Sequence, residues 1–220
     1  MKMLNLVFDK PKGSQFEILC LGAHSDDIEI GCGGTVLRLI AEYPHANFHW
    51  VVFGANDSAR AAEAVASANI FLDRAGGKDI IIKGFKDGFF PYIGAGIKEY
   101  FEELKTISPD IILTHSRHDL HQDHRLMCEL TWNTFRDHFI MEYEIPKYDG
   151  DMGAPNVFVH LDRAICDRKI EYILDNFKTQ RGRHWFTAET FWSLLRLRGN
   201  ECKAPEQYAE AFYCRKAIIT

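Results

Sequence analysis

Short apolar runs alternate with amphipathic segments along the first two thirds of the chain. The apolar run at 16–21 is typical of a strand buried on both faces, and further strands are predicted at 47–53, 79–82 and 110–113. Four further segments place apolar residues at helical spacing, and they cover 35–42, 58–72, 96–107 and 121–138. Pro44 follows the first of these helices, and Asp57 is the predicted N-cap of the second.

This alternation predicts an α/β fold built on a mostly parallel sheet with helices on both faces. Beyond Pro146 the pattern loosens into a predicted loop, strand and helix at 148–155, 156–161 and 163–177. The aromatic-rich segment that begins at Arg183 has no clear periodicity, and we assign it no element. The sequence contains no repeat or linker, and 220 residues suffice for one well-buried core. We expect a single domain over residues 1–220.

The composition is that of an ordinary globular domain, with 46% apolar and 26% charged residues and a net charge of -5. Lysine and arginine form no tract, so a nucleic-acid partner has little electrostatic support. The six cysteines include no Cys-x-x-Cys pair, and we expect reduced thiols. No run has the length of a transmembrane helix, and the first residues lack the apolar core of a signal peptide. A cytoplasmic protein without a transmembrane segment is the expectation.

Two polar clusters, separated by about a hundred residues, follow predicted strands. The first, at 23–27, reads Ala-His-Ser-Asp-Asp, and the second, at 121–124, reads His-Gln-Asp-His. Open α/β sheets bind ligands at the carboxyl ends of their strands. Two imidazoles and one carboxylate can fill three positions around Zn²⁺ and leave the fourth for water. Together the clusters predict a hydrolytic zinc site.

We assign His24, Asp27 and His124 as the zinc ligands. His24 and Asp27 are three residues apart in a predicted loop, where a tight turn can aim both at one point. Asp26 then lies beside the metal without being needed as a ligand, and it can serve as the general base. His121 can protonate the leaving amine or hydrogen-bond the developing oxyanion.

A carboxylate near the site, Asp123 or Asp119, is expected to orient one of the metal-binding imidazoles. Each cluster alone also has a structural interpretation. The two aspartates of the first cluster could cap a helix, and the histidines of 115–124 could form a solvated loop. The presence of both clusters after buried strands favours the metal site. We expect His115 and His118 to be bystanders.

The glycine-rich segment Gly31–Gly34 invites comparison with a nucleotide-binding loop. The dinucleotide fingerprint needs a glycine where Val36 stands, so we expect no bound NAD. We predict instead that these glycines let the backbone turn tightly and approach a substrate or the metal loop. Cys20 and Cys32 flank the first cluster, but Cys20 lies among apolar neighbours, and we expect neither to bind zinc.

The first cluster and the residues after it carry a family resemblance. His24-Ser25-Asp26-Asp27, followed by Gly33-Gly34-Thr35, resembles the His-Pro-Asp-Asp-x-x-x-x-x-Gly-Gly-Thr signature of LmbE-like, or PIG-L family, deacetylases. The segment 119–124 is similar to the second motif of that family. Ser25 departs from the family proline but removes no functional group.

Further similarity extends the resemblance over roughly residues 16–182. Arg60 and Glu63 match an Arg-x-x-Glu pair, and Asp87-Gly88 matches a turn. The C-terminal blocks are similar at Pro155-Asn156, Lys169 and Thr179-Gln180.

The resemblance implies a Rossmann-like fold and zinc-dependent hydrolysis of an N-acetyl group on an N-acetylglucosamine-containing substrate. It implies the same zinc ligands, His24, Asp27 and His124, that the residue chemistry suggests. It also implies that Asp26 is the general base and that His121 is the stabiliser or the acid. It also implies that Arg60 contacts sugar hydroxyls or a phosphate, with a surface helix arginine as the structural alternative. One Zn²⁺ per chain is expected, although other divalent ions could use the same donors.

The sequence is compatible with three functions. The leading hypothesis is a zinc-dependent deacetylase of an amino sugar, either a small molecule or one linked to a lipid or nucleotide, in a glycoconjugate or polysaccharide pathway. The second is an amide hydrolase in thiol-cofactor or antibiotic biosynthesis. The third is a non-catalytic sugar- or metal-binding module, which would need neither Asp26 nor His121. The aromatic C-terminal third favours a homo-oligomer.

Overall fold

A seven-stranded sheet forms the centre of the protein in a computed structural model that describes residues 5–8 and 15–218. The strands are β1 Glu17–His24, β2 Asn47–Gly54, β3 Gly77–Ile82, β4 Ile111–His115, β5 Phe139–Tyr143, β6 Val157–Leu161 and β7 Tyr208–Tyr213. The α-helices are α1 Asp27–Glu42, α2 Ser58–Phe71, α3 Gly94–Leu104, α4 Gln122–Thr134, α5 Arg163–Asn176 and α6 Ala188–Glu201. Short 3₁₀ helices cover Phe90–Tyr92 and Lys178–Gln180.

The strand order is β3-β2-β1-β4-β5-β7-β6. Strands β1 to β5 pair in parallel, whereas β7 is antiparallel to both β5 and β6. The chain moves from β1 outward to β3 and then returns to place β4 on the other side of β1. The order therefore reverses between β1 and β4, and such a switch point leaves a crevice at the carboxyl ends of the two strands.

Helices cover both faces of the sheet, as the strand–helix alternation predicts. Along β1, Ile18 and Cys20 face the core that includes side chains of α1, α2 and α5. Leu19 and Leu21 face the opposite core, which includes side chains of α3 and α4. Because both faces of the strand are buried, its sequence is continuously apolar rather than alternating. The mostly parallel α/β fold is confirmed.

The first helix begins eight residues earlier than its apolar spacing predicts, at Asp27 instead of Thr35. The loop after β1 is therefore shorter than predicted, since only Ser25 and Asp26 separate the strand from the helix. These two residues form the tight turn expected between His24 and Asp27. Asp27 occupies the first turn of α1, where the helix dipole favours a negative charge.

The glycines of Gly31–Gly34 lie inside α1 and serve close packing, which corrects the predicted turn. A Cβ at Gly33 would lie 2.7 Å from the Phe71 ring, and one at Gly31 would collide with the ring of Tyr143. These contacts bring α1 close to α2 and to the end of β5. The small size of the residues explains their presence, and no glycine loop for a nucleotide forms.

Three elements, β5, α6 and β7, are not predicted from the sequence pattern. The predicted helix over 121–138 ends at Thr134, and the chain then enters β5. The segment from Arg183 contains α6 and β7. The other predicted boundaries agree with the structure within three residues, and Asp57 caps α2 by accepting hydrogen bonds from the backbone of Ala59 and Arg60. No helix in the described part of the chain combines the length and apolar character needed to cross a membrane.

Candidate metal centre

Polar side chains gather where the carboxyl ends of β1 and β4 meet. His24 is the last residue of β1, and Asp27 is the first residue of α1. His124 lies in the first turn of α4, a short loop after β4. All three side chains are buried. The structure thus brings the three predicted ligands to one point from both sides of the switch point.

The three donor atoms of these residues form a nearly equilateral triangle. His24 Nδ1 lies 3.1 Å from His124 Nε2 and 3.3 Å from Asp27 Oδ2. Asp27 Oδ2 lies 3.5 Å from His124 Nε2. A tetrahedral zinc ion with bonds of about 2.0–2.1 Å separates its ligand atoms by about 3.3–3.4 Å. The spacing and the chemistry of these donors therefore fit zinc.

The remaining nitrogen of each imidazole is held by a carboxylate. His124 Nδ1 lies 2.8 Å from Asp119 Oδ2. His24 Nε2 lies 3.2 Å from Asp123 Oδ2 and 3.0 Å from Asp87 Oδ1. A ring that donates its N–H to a carboxylate turns its other nitrogen towards the metal position. The surrounding carboxylates thus select the nitrogens that form the triangle.

Asp123 is itself fixed by the loop that follows β3. Its carboxylate accepts hydrogen bonds from the backbone N–H of Gly88 at 2.7 Å and of Phe90 at 3.1 Å. Asp123 is buried and lies in the first turn of α4. It therefore ties this loop to His24, which is the geometry expected of a residue that orients a metal ligand.

Protons compete with a metal for the same atoms. Burial opposes a charge on His24, but Asp27, Asp123 and Asp87 raise the pKa of its ring well above the usual value. Burial also opposes ionisation of Asp27, yet His124, His115 and His24 hold its pKa well below the usual range. Because a metal must displace the proton on His24, metal affinity is expected to fall as the pH is lowered.

Asp26 lies beside the triangle with a raised pKa. Burial is the largest cause, and the charge of Asp27 adds to it, whereas Arg60 opposes it. Arg60 Nη2 donates to Asp26 Oδ1 at 3.0 Å. A buried carboxylate with a raised pKa is a stronger base than an exposed one, as general-base chemistry requires.

Arg60 lies in the first turn of α2, and its largely buried side chain extends to Asp26. The alternative of a surface helix arginine is therefore wrong. Its Nη1 atom is buried and has no hydrogen-bond partner among the described residues. The predicted contact with sugar hydroxyls or a phosphate stays a prediction. Glu63, the second residue of the Arg-x-x-Glu pair, accepts hydrogen bonds from the backbone and hydroxyl of Thr179 at 2.9 and 2.6 Å. Two segments that carry the family resemblance are therefore in contact.

His121 lies at the exposed side of the cluster as the N-cap of α4. Its Nδ1 accepts the backbone N–H of Asp123 at 3.3 Å, which places the ring proton of a neutral imidazole on Nε2. Burial and the charge of His24 lower the pKa of His121. Its ring centroid lies 4.9 Å from that of His24 and 4.5 Å from that of His124. A neutral ring with a free N–H at this position can donate a hydrogen bond.

His115 is buried at the end of β4 and could be mistaken for a ligand, because it lies near Asp27 and His124. Its Nε2 atom, however, accepts the backbone N–H of Ala23 at 2.8 Å. The lone pair that would bind a metal is therefore already used. The ring stacks on His124 with the centroids 4.0 Å apart. His118 is exposed and its ring lies against Tyr213.

Two residues at the site were not assigned to it from the sequence. Asp87 belongs to an Asp-Gly turn whose family match gave no role, and it contacts His24. Lys147 follows β5, a strand that the pattern does not reveal, and it contacts Asp119. The six cysteines are free, and Cys20 and Cys32 are buried, where burial raises the pKa of both thiols.

Exposed apolar side chains lie on the three connections that follow β3, β4 and β5. We define the apolar rim as Phe89, Tyr92, Leu120, Tyr148 and Met152, all of them exposed. The first two follow the Gly88 turn that Asp123 holds, and Leu120 precedes His121. Phe90, in contrast, is fully buried.

Taken together, the fold and the site define an α/β protein with a candidate divalent-metal centre at a topological switch point. The model of the family described as "PIG-L: GlcNAc-PI de-N-acetylase" matches residues 19–135, which is more than half of the chain. The chain therefore belongs to the PIG-L family. No curated protein sequence matches it.

Solved structures show the same fold at low sequence identity. The conserved protein TT1542 from Thermus thermophilus has a TM-score of 0.74 and 19% identity, with 93% of this chain and 97% of that chain covered. The N,N'-diacetylchitobiose deacetylase from Pyrococcus horikoshii has a TM-score of 0.70 and 21% identity, with 90% and 83% covered. GalB, the 4-carboxy-2-hydroxymuconate hydratase from Pseudomonas putida, has a TM-score of 0.72 and 18% identity, with 93% and 98% covered.

Proposed function

We propose that this protein is a zinc-dependent hydrolase that removes the N-acetyl group of an amino sugar. The observation that carries the proposal is the triangle of donor atoms from His24, Asp27 and His124, with the carboxyl group of Asp26 beside it. Family membership supports the reaction class, because the matching family model is described as a de-N-acetylase.

His24, Asp27 and His124 would hold the metal, which when bound would polarise water and the amide carbonyl. Three protein ligands leave a coordination position open, as catalytic zinc sites do. Asp119 and Asp123 keep the two imidazoles in the correct orientation. Asp119 and Asp123 thereby fix the positions of the donor nitrogens of His124 and His24 before the substrate binds.

Asp26 would accept the proton of the attacking water. Its burial raises its pKa, and this makes the carboxylate a better proton acceptor near neutral pH. Arg60 fixes Oδ1 of Asp26, so the carboxylate is held in one orientation. Arg60 Nη1 has no hydrogen-bond partner among the described residues, and it would donate to a hydroxyl or phosphate oxygen of a substrate that reaches it.

His121 would act on the carbonyl oxygen or on the leaving amine. In the neutral ring, the N–H at Nε2 can form a hydrogen bond to the developing oxyanion. To protonate the leaving amine when the C–N bond breaks, the ring would first have to become a cation by accepting the proton that Asp26 takes from the attacking water. The hydrogen bond at Nδ1 fixes the neutral tautomer that the oxyanion role requires.

An N-acetylglucosamine-like sugar is the substrate class that we propose. The aromatic members of the apolar rim, Phe89, Tyr92 and Tyr148, offer flat faces on which a sugar ring can stack. The structurally similar deacetylase from P. horikoshii is named for N,N'-diacetylchitobiose, which is a sugar of this kind. An amide hydrolase acting on another acylated glycoside would use the same residues.

The GalB structure shows that this fold also carries a hydratase. Fold alone therefore does not establish the reaction, and the assay must detect the bond that breaks. The zinc-loaded protein should be incubated with N-acetylglucosamine and N,N'-diacetylchitobiose while acetate and free amine are measured.

We expect equal amounts of acetate and amine, no product in the presence of a chelator, and recovery when zinc is restored. The Asp26→Asn variant should keep the metal and lose roughly 10²–10⁴-fold in rate, as expected for removal of a general base. Glu42→Gln, at the exposed far end of α1, is the matched control. Zinc-dependent turnover that Asp26→Asn leaves unchanged would refute the role of Asp26, and absence of any amide cleavage across N-acetylated sugars would refute the proposed reaction.

A further inference from the structure

We infer that Lys147 is a positioning residue for the metal, acting on His124 through Asp119. The inference rests on the proposed metal site. Lys147 lies in the loop that follows β5, far from both sequence clusters. It therefore gives the site a contribution from a third region of the chain.

A continuous series of polar contacts joins Lys147 to the metal position. Its Nζ lies 3.0 Å from Asp119 Oδ1, and Asp119 Oδ2 lies 2.8 Å from His124 Nδ1. The other nitrogen of His124 belongs to the donor triangle. The side chains of Lys147 and Asp119 are 9% and 3% exposed, so water screens their interaction very little.

The ammonium group of Lys147 also separates two buried carboxylates. Nζ lies 2.5 Å from Asp151 Oδ2, and this oxygen accepts the backbone N–H of Leu120 at 2.7 Å. The side chain of Asp151 is only 5% exposed. Without the cation, Asp119 and Asp151 would be two like charges in a poorly solvated place, which is unfavourable.

Loss of the cation removes the partner that holds Asp119 Oδ1 and should let the two carboxylates turn away from each other. If Asp119 turns, His124 loses the acceptor that fixes its tautomer and its ring orientation. Partners of this kind typically contribute about 10–100-fold in metal affinity. The burial of Lys147 also argues against direct contact with substrate, so its effect must pass through neighbouring side chains.

The test is the zinc affinity of the full-length protein, measured by competition with a chromophoric chelator. Lys147→Met should weaken zinc binding by about 10–100-fold, whereas Lys147→Arg should stay close to wild type. Lys98→Met removes a more exposed lysine from a salt bridge with Glu102 in α3, and it should have no effect. Co²⁺ substitution adds a spectroscopic readout, since the visible absorption of the Lys147→Met variant should change when His124 is no longer fixed.

A double-mutant cycle tests the route through Asp119. In an Asp119→Asn background, Lys147→Met should cost little further zinc affinity. Additive losses, or wild-type affinity in Lys147→Met, would overturn the inference. If Lys147→Met does not fold, Lys147→Gln, which removes the charge but keeps a polar group, replaces it with the same expected result. Failure of the wild-type protein to bind zinc would instead refute the metal site itself.

Discussion

At the scale of single residues, the site is built from imidazoles whose two nitrogens have different partners. In both His24 and His124, one nitrogen contacts a carboxylate and the other points to the donor triangle. His115 lies equally close, yet its available nitrogen accepts a backbone N–H. The hydrogen-bond partners of each ring therefore distinguish a candidate ligand from a bystander. The spacing of histidines in the sequence does not show these partners.

His121 is the residue whose role is most open to a kinetic test. His121→Ala should lower kcat by roughly 10²–10³-fold with a small change in KM, because the lost hydrogen bond acts mainly in the transition state. Zinc content should stay the same, since the other three side chains supply the ligands. His121→Ser retains an N-cap for α4 and should show the same loss, which separates catalysis from helix stability.

His118→Ala serves as the control for His121→Ala, because His118 is exposed on the same loop. Steady-state kinetics and metal analysis of the three variants are sufficient. Loss of zinc from His121→Ala would make His121 a ligand, and wild-type kcat would remove it from the mechanism.

Which residues the sequence could reveal depends on how local their signal is. His24, Asp26 and Asp27 stand together after a buried strand, and His121 and His124 share one short segment. Lys147 is isolated in sequence, and its place at the site depends on the pairing of β5, which has no clear pattern. Arg60 was predicted as a substrate contact, and its hydrogen bond with Asp26 could be found only from the fold.

At the scale of elements, α1 carries the strongest physical constraint. Its first turns hold Asp27 and, two residues later, Glu29, which is fully buried and whose carboxylate oxygens have no hydrogen-bond partner among the described residues. Burial is the main reason that the pKa of Glu29 is raised to about 8 from its ordinary value of 4.5. The folded protein thus retains a proton that the unfolded chain releases.

Glu29→Gln should therefore change how stability depends on pH. Between about pH 4.5 and pH 8 the unfolded chain binds fewer protons at this residue, so stability falls as the pH rises, by up to about 1.4 kcal/mol per pH unit. Glutamine cannot ionise, and the variant should gain stability relative to wild type as the pH increases through this range. Chemical unfolding of the metal-free proteins at several pH values measures the difference.

Glu42→Gln, at the exposed end of the same helix, should show no such trend. A difference between Glu29→Gln and wild type that does not vary with pH would contradict the retained proton. The comparison uses metal-free protein because a cation near Asp27 would itself alter the ionisation of Glu29.

Elements were predictable where one physical signal dominates. The doubly buried strand β1 has a long continuous apolar run, and α2 has both periodicity and an N-cap. The start of α1 was missed because glycines inside a helix usually indicate a turn, whereas here they allow close packing on Tyr143 and Phe71. Strand β5 is not predicted, because the helix predicted over 121–138 runs up to its first residue and the five residues of the strand have no clear pattern of their own.

At the scale of the whole molecule, the parallel part of the fold follows from strand–helix alternation. The antiparallel pairing of β7 with β5 and β6 does not, since the C-terminal third has no regular pattern. This third nevertheless supports the site. Lys169 in α5 donates to Glu210 in β7 at 2.6 Å and to the backbone of Ile30 in α1 at 2.7 Å, so the helix that carries Asp27 is anchored to the far strands.

The metal site formed by His24, Asp27 and His124 is the basis of the proposed reaction. Metal analysis after zinc loading and removal of excess ion tests it. We predict about one zinc per wild-type chain, as a site of three protein ligands requires. Alanine variants of the three residues should each lose most of the bound zinc, while His118→Ala keeps it. Full zinc content in all three alanine variants would show that these residues do not form the metal site.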